Sequence, residues 1–302
     1  MHLLAPAKIN LHLRVGPRRA DGFHSLMSWM CTVGLFDILN LEATAQPASD
    51  DGPVRLSCDL PGLPCDASNL VTRVATAWIE LMRGEQSPAS HFAGVRATLA
   101  KRIPMGGGLG GGSSDGATSL IGLNRLWGAG WTAQRMSEFA AIFGSDLSFF
   151  FHGSSSVCTG RGEFVIPIAR PRPKSALLVL PEMVMPTGPV YRRFDAMGLG
   201  RDDDVRREPD WSAWTSMDAM HLLPMLVNDL EQPAFDLSND LSQLRDRAEQ
   251  VLRRPVRMSG SGSTLFTIFD TSAESLEFAR VVTGQLRVRA VSVDLAPDLS
   301  SE

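Results

Sequence analysis

Between Pro104 and Asp115 the chain reads Met-Gly-Gly-Gly-Leu-Gly-Gly-Gly-Ser-Ser, with six glycines and two serines in ten residues. Glycine gives up more backbone entropy on ordering than any other residue, so an ordered run of this kind needs bare backbone for something. Its flanks are not those of a flexible linker. Residues 94–104 (GVRATLAKRIP) alternate apolar and polar, the period of a strand. From Ser114 to Trp127, Leu120, Leu123 and Trp127 recur on one side of a helix. Any fold open to this chain has to hold a glycine loop between a strand and a helix.

Gly106-Gly107-Gly108-Leu109-Gly110-Gly111 matches G-x-G-x-x-G, but so does any glycine run. A dinucleotide site also needs a second strand with an acid at its end, and here a helix is followed by another helix. A P-loop needs a lysine after its glycines, and a protein-kinase loop needs H-R-D and D-F-G partners; neither is present. What survives is an anion cradle. Successive bare N–H groups and the positive end of the following helix favour phosphate oxygens, and Ser113 and Ser114 add hydroxyl donors or metal ligands.

The 302 residues suffice for two domains, and 44% hydrophobic with 21% charged residues predicts an ordinary packed core. A net charge of -4 without a basic stripe argues against a nucleic-acid surface. No apolar run approaches the ~18–20 residues of a membrane span. Lys8, Asn10, His12 and Arg14 interrupt any signal-like segment, so the expected location is the cytoplasm. Cys31, Cys58, Cys65 and Cys158 form no C-x-x-C pair and read as reduced thiols.

Residues 8–15 alternate as a half-buried strand with Lys8 and Asn10 on one face. An Asp21-Gly22 turn leads to strands over 25–33 and 37–43, a loop over 46–53 and a helix over 69–83. Thr132 caps a helix that runs to Phe143 and stops at Gly144. Further on come a buried strand over 175–182, a solvated charged connection over 198–210, and one or two helices over 218–252. The chain then reads as strand–small-residue loop–strand over 256–270, a helix over 274–284, a strand over 288–293 and a frayed end from about 297.

"PMGGGLGGGSS" (104–114) resembles the ATP-binding motif of the GHMP kinases, and its doubled glycine triplet resembles the branch acting on 4-diphosphocytidyl-2-C-methyl-D-erythritol. The branch's other signatures follow in order: "PAKINLHL" (6–13), "RADGFH" (19–24), "GSDLSFFF" (144–151), "PTGPVY" (186–191), "NDLE" (228–231) and "MSGSGSTLF" (258–266). The resemblance implies an α+β chain of two domains. Residues 1–165 would form an ATP-binding, ribosomal S5 domain 2-like unit and residues 166–302 a ferredoxin-like unit, with the active site in the cleft between them. It implies ATP with Mg²⁺, a small-molecule acceptor phosphorylated on its 2-hydroxyl, no nucleic acid or membrane partner, and a monomer or weak homodimer.

By the same resemblance ATP lies over Pro104, Met105, Gly106, Gly107, Gly108, Leu109, Gly110, Gly111, Gly112, Ser113 and Ser114. Asp146 is the implied catalytic base, although by itself it reads as the cap of a helix starting at Leu147. Ser148 stands where the family usually has proline. Lys8 is the implied catalytic lysine, a cation that stabilises the forming alkoxide. Phe23 and Tyr191 would sandwich the cytosine and His24 would bond its edge, while Asn10 and Thr187 would hold the rest of the acceptor. "MSGSGSTLF" reads as a loop beside the nucleotide, with Gly260 and Gly262 as close-approach glycines, and "NDLE" reads as a charged helix face. The other readings are a GHMP kinase for another alcohol, such as homoserine or a sugar, and a silent nucleotide-binding protein of the same fold.

Overall fold

The computed structural model describes residues 1–49, 52–84 and 93–298. Two long strands, β1 (His2–Arg18) and β2 (His24–Thr44), run antiparallel and meet at the expected Asp21-Gly22 turn, where Gly22 N donates to Arg19 O (3.0 Å). Where the sequence predicts two strands over 25–43, β2 is continuous. Pro6 pairs with Phe36 but Ala7 with Val33, so Gly34 and Leu35 form a bulge. In sequence that bulge reads as a turn.

The chain continues through β3 (Val54–Cys58), α1 (Leu70–Gly84), β4 (Gly94–Ala100), α2 (Gly111–Trp127), α3 (Ala133–Ala140), α4 (Ser145–Phe149), β5 (Ser155–Gly160) and β6 (Phe164–Pro167). With β1 on one edge, β2 pairs β4 along residues 38–44 and β5 along residues 26–31. β3 and β6 complete the six-stranded sheet, and β3, β5 and β6 are not foreseen from the sequence. β4 ends at Ala100, short of the predicted Pro104. Asn69 and Thr132 cap α1 and α3 through Val71 N (2.9 Å) and Arg135 N (3.2 Å). Trp78 on α1 and Leu120 and Leu123 on α2 pack with Leu39, Leu41 and Val95 of the sheet into one core.

The second half holds β7 (Ser175–Leu180), α5 (Thr187–Ala196), α6 (Asp202–Arg206), α7 (Trp211–Ser216), α8 (Ala219–Leu222), α9 (Glu231–Leu237), α10 (Asn239–Leu252), β8 (Arg257–Met258), β9 (Leu265–Phe269), α11 (Ser272–Leu286) and β10 (Arg289–Asp294). Its sheet, in the order β10-β7-β9-β8, is antiparallel throughout. The charged connection over 198–210 contains the exposed helix α6, set against the end of β1. Residues 50–51 of the predicted loop and 299–302 of the predicted frayed end lie outside the described residues. No helix among the described residues is long and apolar enough to cross a membrane, and the four cysteines are free.

β1 departs furthest from its prediction. It is buried on both faces, with Lys8, Asn10 and His12 each 3 or 4% exposed. Its apolar residues Ala7, Ile9 and Leu11 join a core shared with Leu178 and Ile268 of the second sheet. Leu13 and Val15 join another, built on β7, α5 and α10. The C-terminal tail closes on the same region, as Ala296 N donates to Thr32 O (2.9 Å). The polar stripe of β1 therefore faces protein and a cavity.

His12 shows what that burial costs a titratable group. Its Nδ1 accepts from Val227 N (3.2 Å) and its ring meets Trp214 edge-on, centroids 5.2 Å apart. Burial, then the charges of Arg14 and Arg257, lower its pKa to about 4 from 6.5. Between those values the unfolded chain binds the proton and the folded one does not, so this contribution is intact above pH 6.5 and is lost as pH falls toward 4. Compared with His12→Gln, which cannot titrate, the wild type should lose about 2 kcal/mol of relative stability between pH 7 and 5. Denaturant midpoints of both proteins at the two pH values measure this; a constant gap would mean that His12 is not held neutral.

Candidate active site

A cavity of about 510 Å³ lies between the two sheets, lined by the glycine loop, Lys8, Asn10, Asp146, Thr187 and Tyr191 among others. The loop's carbonyls are turned away from it. Gly106 O accepts from Met185 N (3.5 Å), Gly107 O from Thr264 N (3.0 Å) and Leu109 O from Lys8 N (2.9 Å). Gly108 O accepts from Ser259 Oγ (2.9 Å). Among the described residues, the N–H groups of Gly106 to Ser113 have no hydrogen-bond acceptor. Two glycines are indispensable to this path. At Gly108 (φ 76°) a Cβ would lie 2.1 Å from Ser259 O, and at Gly110 (φ 67°) 2.9 Å from Lys8 Cγ. Gly110 is also the N-cap of α2, which starts inside the glycine run and not at Ser114 as the periodicity predicts. The orphan amides of its first turn and its positive end add to the cradle.

Lys8 and Asn10 project from the polar stripe of β1. Lys8 Nζ donates to Asn10 Oδ1 (2.7 Å) and stands 3.5 Å from Asp146 Oδ2. Asn10 is held in turn, Nδ2 donating to Ser28 Oγ (2.8 Å) and its backbone N to Ser259 Oγ (3.3 Å). Asp146 lies in the first turn of α4, where a carboxylate is favoured by the helix dipole, so the cap-like position and the ion pair coexist. Ser148, in place of the family's proline, is buried and donates to Ser137 O (3.4 Å), tying α4 to α3.

On the far side, Tyr191 of α5 lines the cavity with Thr187, whose Oγ1 meets Ser261 Oγ at 3.0 Å. Burial, then the negative charge of Asp146, push the Tyr191 phenol well above its usual range. The His24 ring lies 5.0 Å from that of Tyr191. Its Nδ1 sits 2.9 Å from Gly16 O, and its Nε2 3.4 Å from Asp195 Oδ1. Phe23 stands apart, 53% exposed on its turn, with the Arg161 guanidinium 4.9 Å over its ring. No ring contact joins it to Tyr191 among the described residues.

Three features escaped the sequence reading. Lys101 lines the glycine-loop end of the cavity in a buried cluster with Asp37 and Asp115, donating to Asp115 Oδ2 at 2.8 Å. Burial lifts the Asp115 carboxyl to about 7, opposed by the Lys101 ammonium and reinforced by Asp37. Among the described residues, Asp115 Oδ1 and the hydroxyl of fully buried Ser114 have no hydrogen-bond partner, at the start of α2. Finally, "NDLE" is not a charged helix face. Asn228 is buried, Asp229 accepts from Val15 N and Arg14 Nη1 (both 2.9 Å), and Glu231 accepts from Met258 N (2.8 Å).

Comparison with known proteins agrees with this geometry. Residues 69–154 match the model of the GHMP kinases N terminal domain. The 4-diphosphocytidyl-2-C-methyl-D-erythritol kinase of Bordetella parapertussis is 38% identical over 287 residues, covering 94% of this chain and 87% of that protein. A crystal structure of 4-(cytidine 5'-diphospho)-2C-methyl-D-erythritol kinase is 34% identical with a TM-score of 0.74, covering 99% of this chain and 100% of that one. Homoserine kinase from Cytophaga hutchinsonii, at 17% identity and a TM-score of 0.67 over 97% and 94% of the two chains, shares the fold. With more than a third of its residues in common with such relatives over nearly its full length, the chain belongs to the 4-diphosphocytidyl-2-C-methyl-D-erythritol kinase family of the GHMP kinases.

Proposed function

We propose that this chain transfers the γ-phosphoryl group of ATP to the 2-hydroxyl of 4-diphosphocytidyl-2-C-methyl-D-erythritol, giving the 2-phosphate and ADP in the non-mevalonate isoprenoid pathway. The observation that carries the reading is the Lys8–Asp146 pair, 3.5 Å apart in a cavity that also holds the glycine loop and Tyr191. The loop amides and the α2 terminus take the ATP phosphates; residues 1–165 supply this side and residues 166–302 bring Thr187 and Tyr191. The Asp146 carboxylate accepts the proton of the acceptor hydroxyl as its oxygen attacks phosphorus. The Lys8 ammonium, fixed by Asn10, stabilises the charge that develops on that oxygen.

Tyr191 offers a face for the cytosine, with His24 against it, and Phe23 reaches the base only if its turn closes. Mg²⁺ enters with the nucleotide: among the described residues no group of three or more His, Cys, Asp or Glu side chains could hold it. The Ser114 hydroxyl, without a hydrogen-bond partner among the described residues, would be a ligand for such an ion, which when bound neutralises phosphate charge. The free thiols are in keeping with a cytoplasmic enzyme, and one chain carries every residue named, as a monomer or weak homodimer requires.

Release of ADP from ATP and Mg²⁺ with the cytidyl acceptor, homoserine, mevalonate or galactose tests the assignment; turnover with another acceptor and none with the cytidyl compound would overturn it. Asp146→Asn should lower kcat by at least ~10²-fold with ATP binding kept within about tenfold. A variant retaining more than about a tenth of kcat would remove Asp146 as the base. Tyr191→Ala should raise the acceptor KM some ~5- to 150-fold, from roughly 1–3 kcal/mol of stacking, and leave the ATP KM in place. A lower melting temperature with an unchanged acceptor KM would make Tyr191 a packing residue.

A further inference from the structure

Asn228 does not itself line the cavity, yet its side chain is fully committed to residues that border it. Its Nδ2 donates to both Met258 O and Gly260 O, each at 2.8 Å, and its Oδ1 accepts from Leu230 N (2.9 Å). The neighbouring backbone is tied to the strand that carries Lys8 and Asn10, with Leu13 N donating to Val227 O (2.7 Å) and Asp229 N to Leu13 O (3.0 Å). Asn228 thus joins β1 to the turn over 258–264. That turn supplies Ser259 to Gly108 O and to Asn10 N, and Thr264 N to Gly107 O. At Gly260 a Cβ would stand 3.2 Å from Asn10 Oδ1 and 3.6 Å from Lys8 Nζ, so the turn lies directly beside both groups and leaves little room for a side chain there.

We propose that Asn228 is a positioning residue for phosphoryl transfer: through the two carbonyls it holds, it sets the distance between the phosphate-facing loop and the Lys8–Asn10 pair. The assignment rests on the kinase reading, since it concerns the alignment of that site's two halves. A carbonyl pair facing one amide group cannot be satisfied by any side chain lacking N–H or O–H donors. Asn228→Asp keeps the shape and the acceptor for Leu230 N but turns an oxygen toward Met258 O and Gly260 O. The turn then has to shift, and displacement of about 1 Å at a reacting centre costs on the order of a hundredfold in rate.

The test is steady-state kinetics of wild type and Asn228→Asp from pH 8.5 to 6, with ATP, Mg²⁺ and the cytidyl acceptor. At pH 8.5 kcat should fall about ten- to a hundredfold, with both KM values within about threefold of wild type. As pH falls the new buried carboxyl takes a proton and regains one donor, so kcat relative to wild type at the same pH should recover severalfold. Asn228→Ser, which keeps one hydroxyl donor, should show a smaller, pH-independent loss of kcat, and it carries the test if the aspartate variant does not fold. Wild-type kcat in either variant, or an aspartate deficit that does not shrink on acidification, overturns the proposal. Because the wild type runs in the same assay, failure of the kinase reading shows there, and failure of the positioning role shows in the variants alone.

Discussion

Four successive carbonyls, from Gly106 to Leu109, are consumed by protein donors, and that one constraint organises the site. A peptide unit whose carbonyl is pinned inward must present its N–H in the opposite sense, so the loop shows amides to the cavity without any cationic side chain doing so. The donors come from β1, from the 258–264 turn and from the segment entering α5, which brings three distant parts of the chain to one loop. Lys8 is the tightest link: its backbone N–H holds Leu109 O while its side chain reaches Asn10 and Asp146. The lysine and the glycine loop share a register, and neither can move far without the other.

The charges follow the same logic. The two buried lysines that line the cavity are each met by acids, Lys8 by Asp146 and Lys101 by Asp37 and Asp115. The Lys101 cluster is buried throughout, where an ion pair returns little net stability but removing one partner leaves an uncompensated charge at a cost of roughly 3–5 kcal/mol, whereas Asp146 is part-exposed and its pair with Lys8 is screened by solvent. The amides and the α2 terminus carry no such penalty and favour negative charge. Asp115, with its carboxyl lifted to about 7, lies beside the start of α2.

Much of this was legible in the residues. The strand–loop–helix unit around Gly106–Gly112 and the shared face of Lys8 and Asn10 follow from period and glycine content alone. The pairing of Lys8 with Asp146 was implied only by the resemblance, because nothing in spacing brings residues 8 and 146 together. What stayed hidden has common physical causes. The bulge at Gly34-Leu35 looks like a turn because both interrupt period two, and only the partner strand tells them apart. Edge strands such as β6, with Phe164 and Ile166 exposed, carry no burial pattern to read. Asn228, Asp229 and Glu231 bond backbone groups far along the chain, and side chains so engaged have the composition of a solvated surface.

The central claim, that outward amides of the glycine loop hold the ATP phosphates, is tested most directly by amide NMR shifts on titrating the protein with Mg²⁺-ATP and, separately, with adenosine. The account predicts large shifts at the N–H resonances of Gly106 to Ser113 with ATP and small ones with adenosine. Saturable ATP binding that leaves those amides unmoved would contradict it.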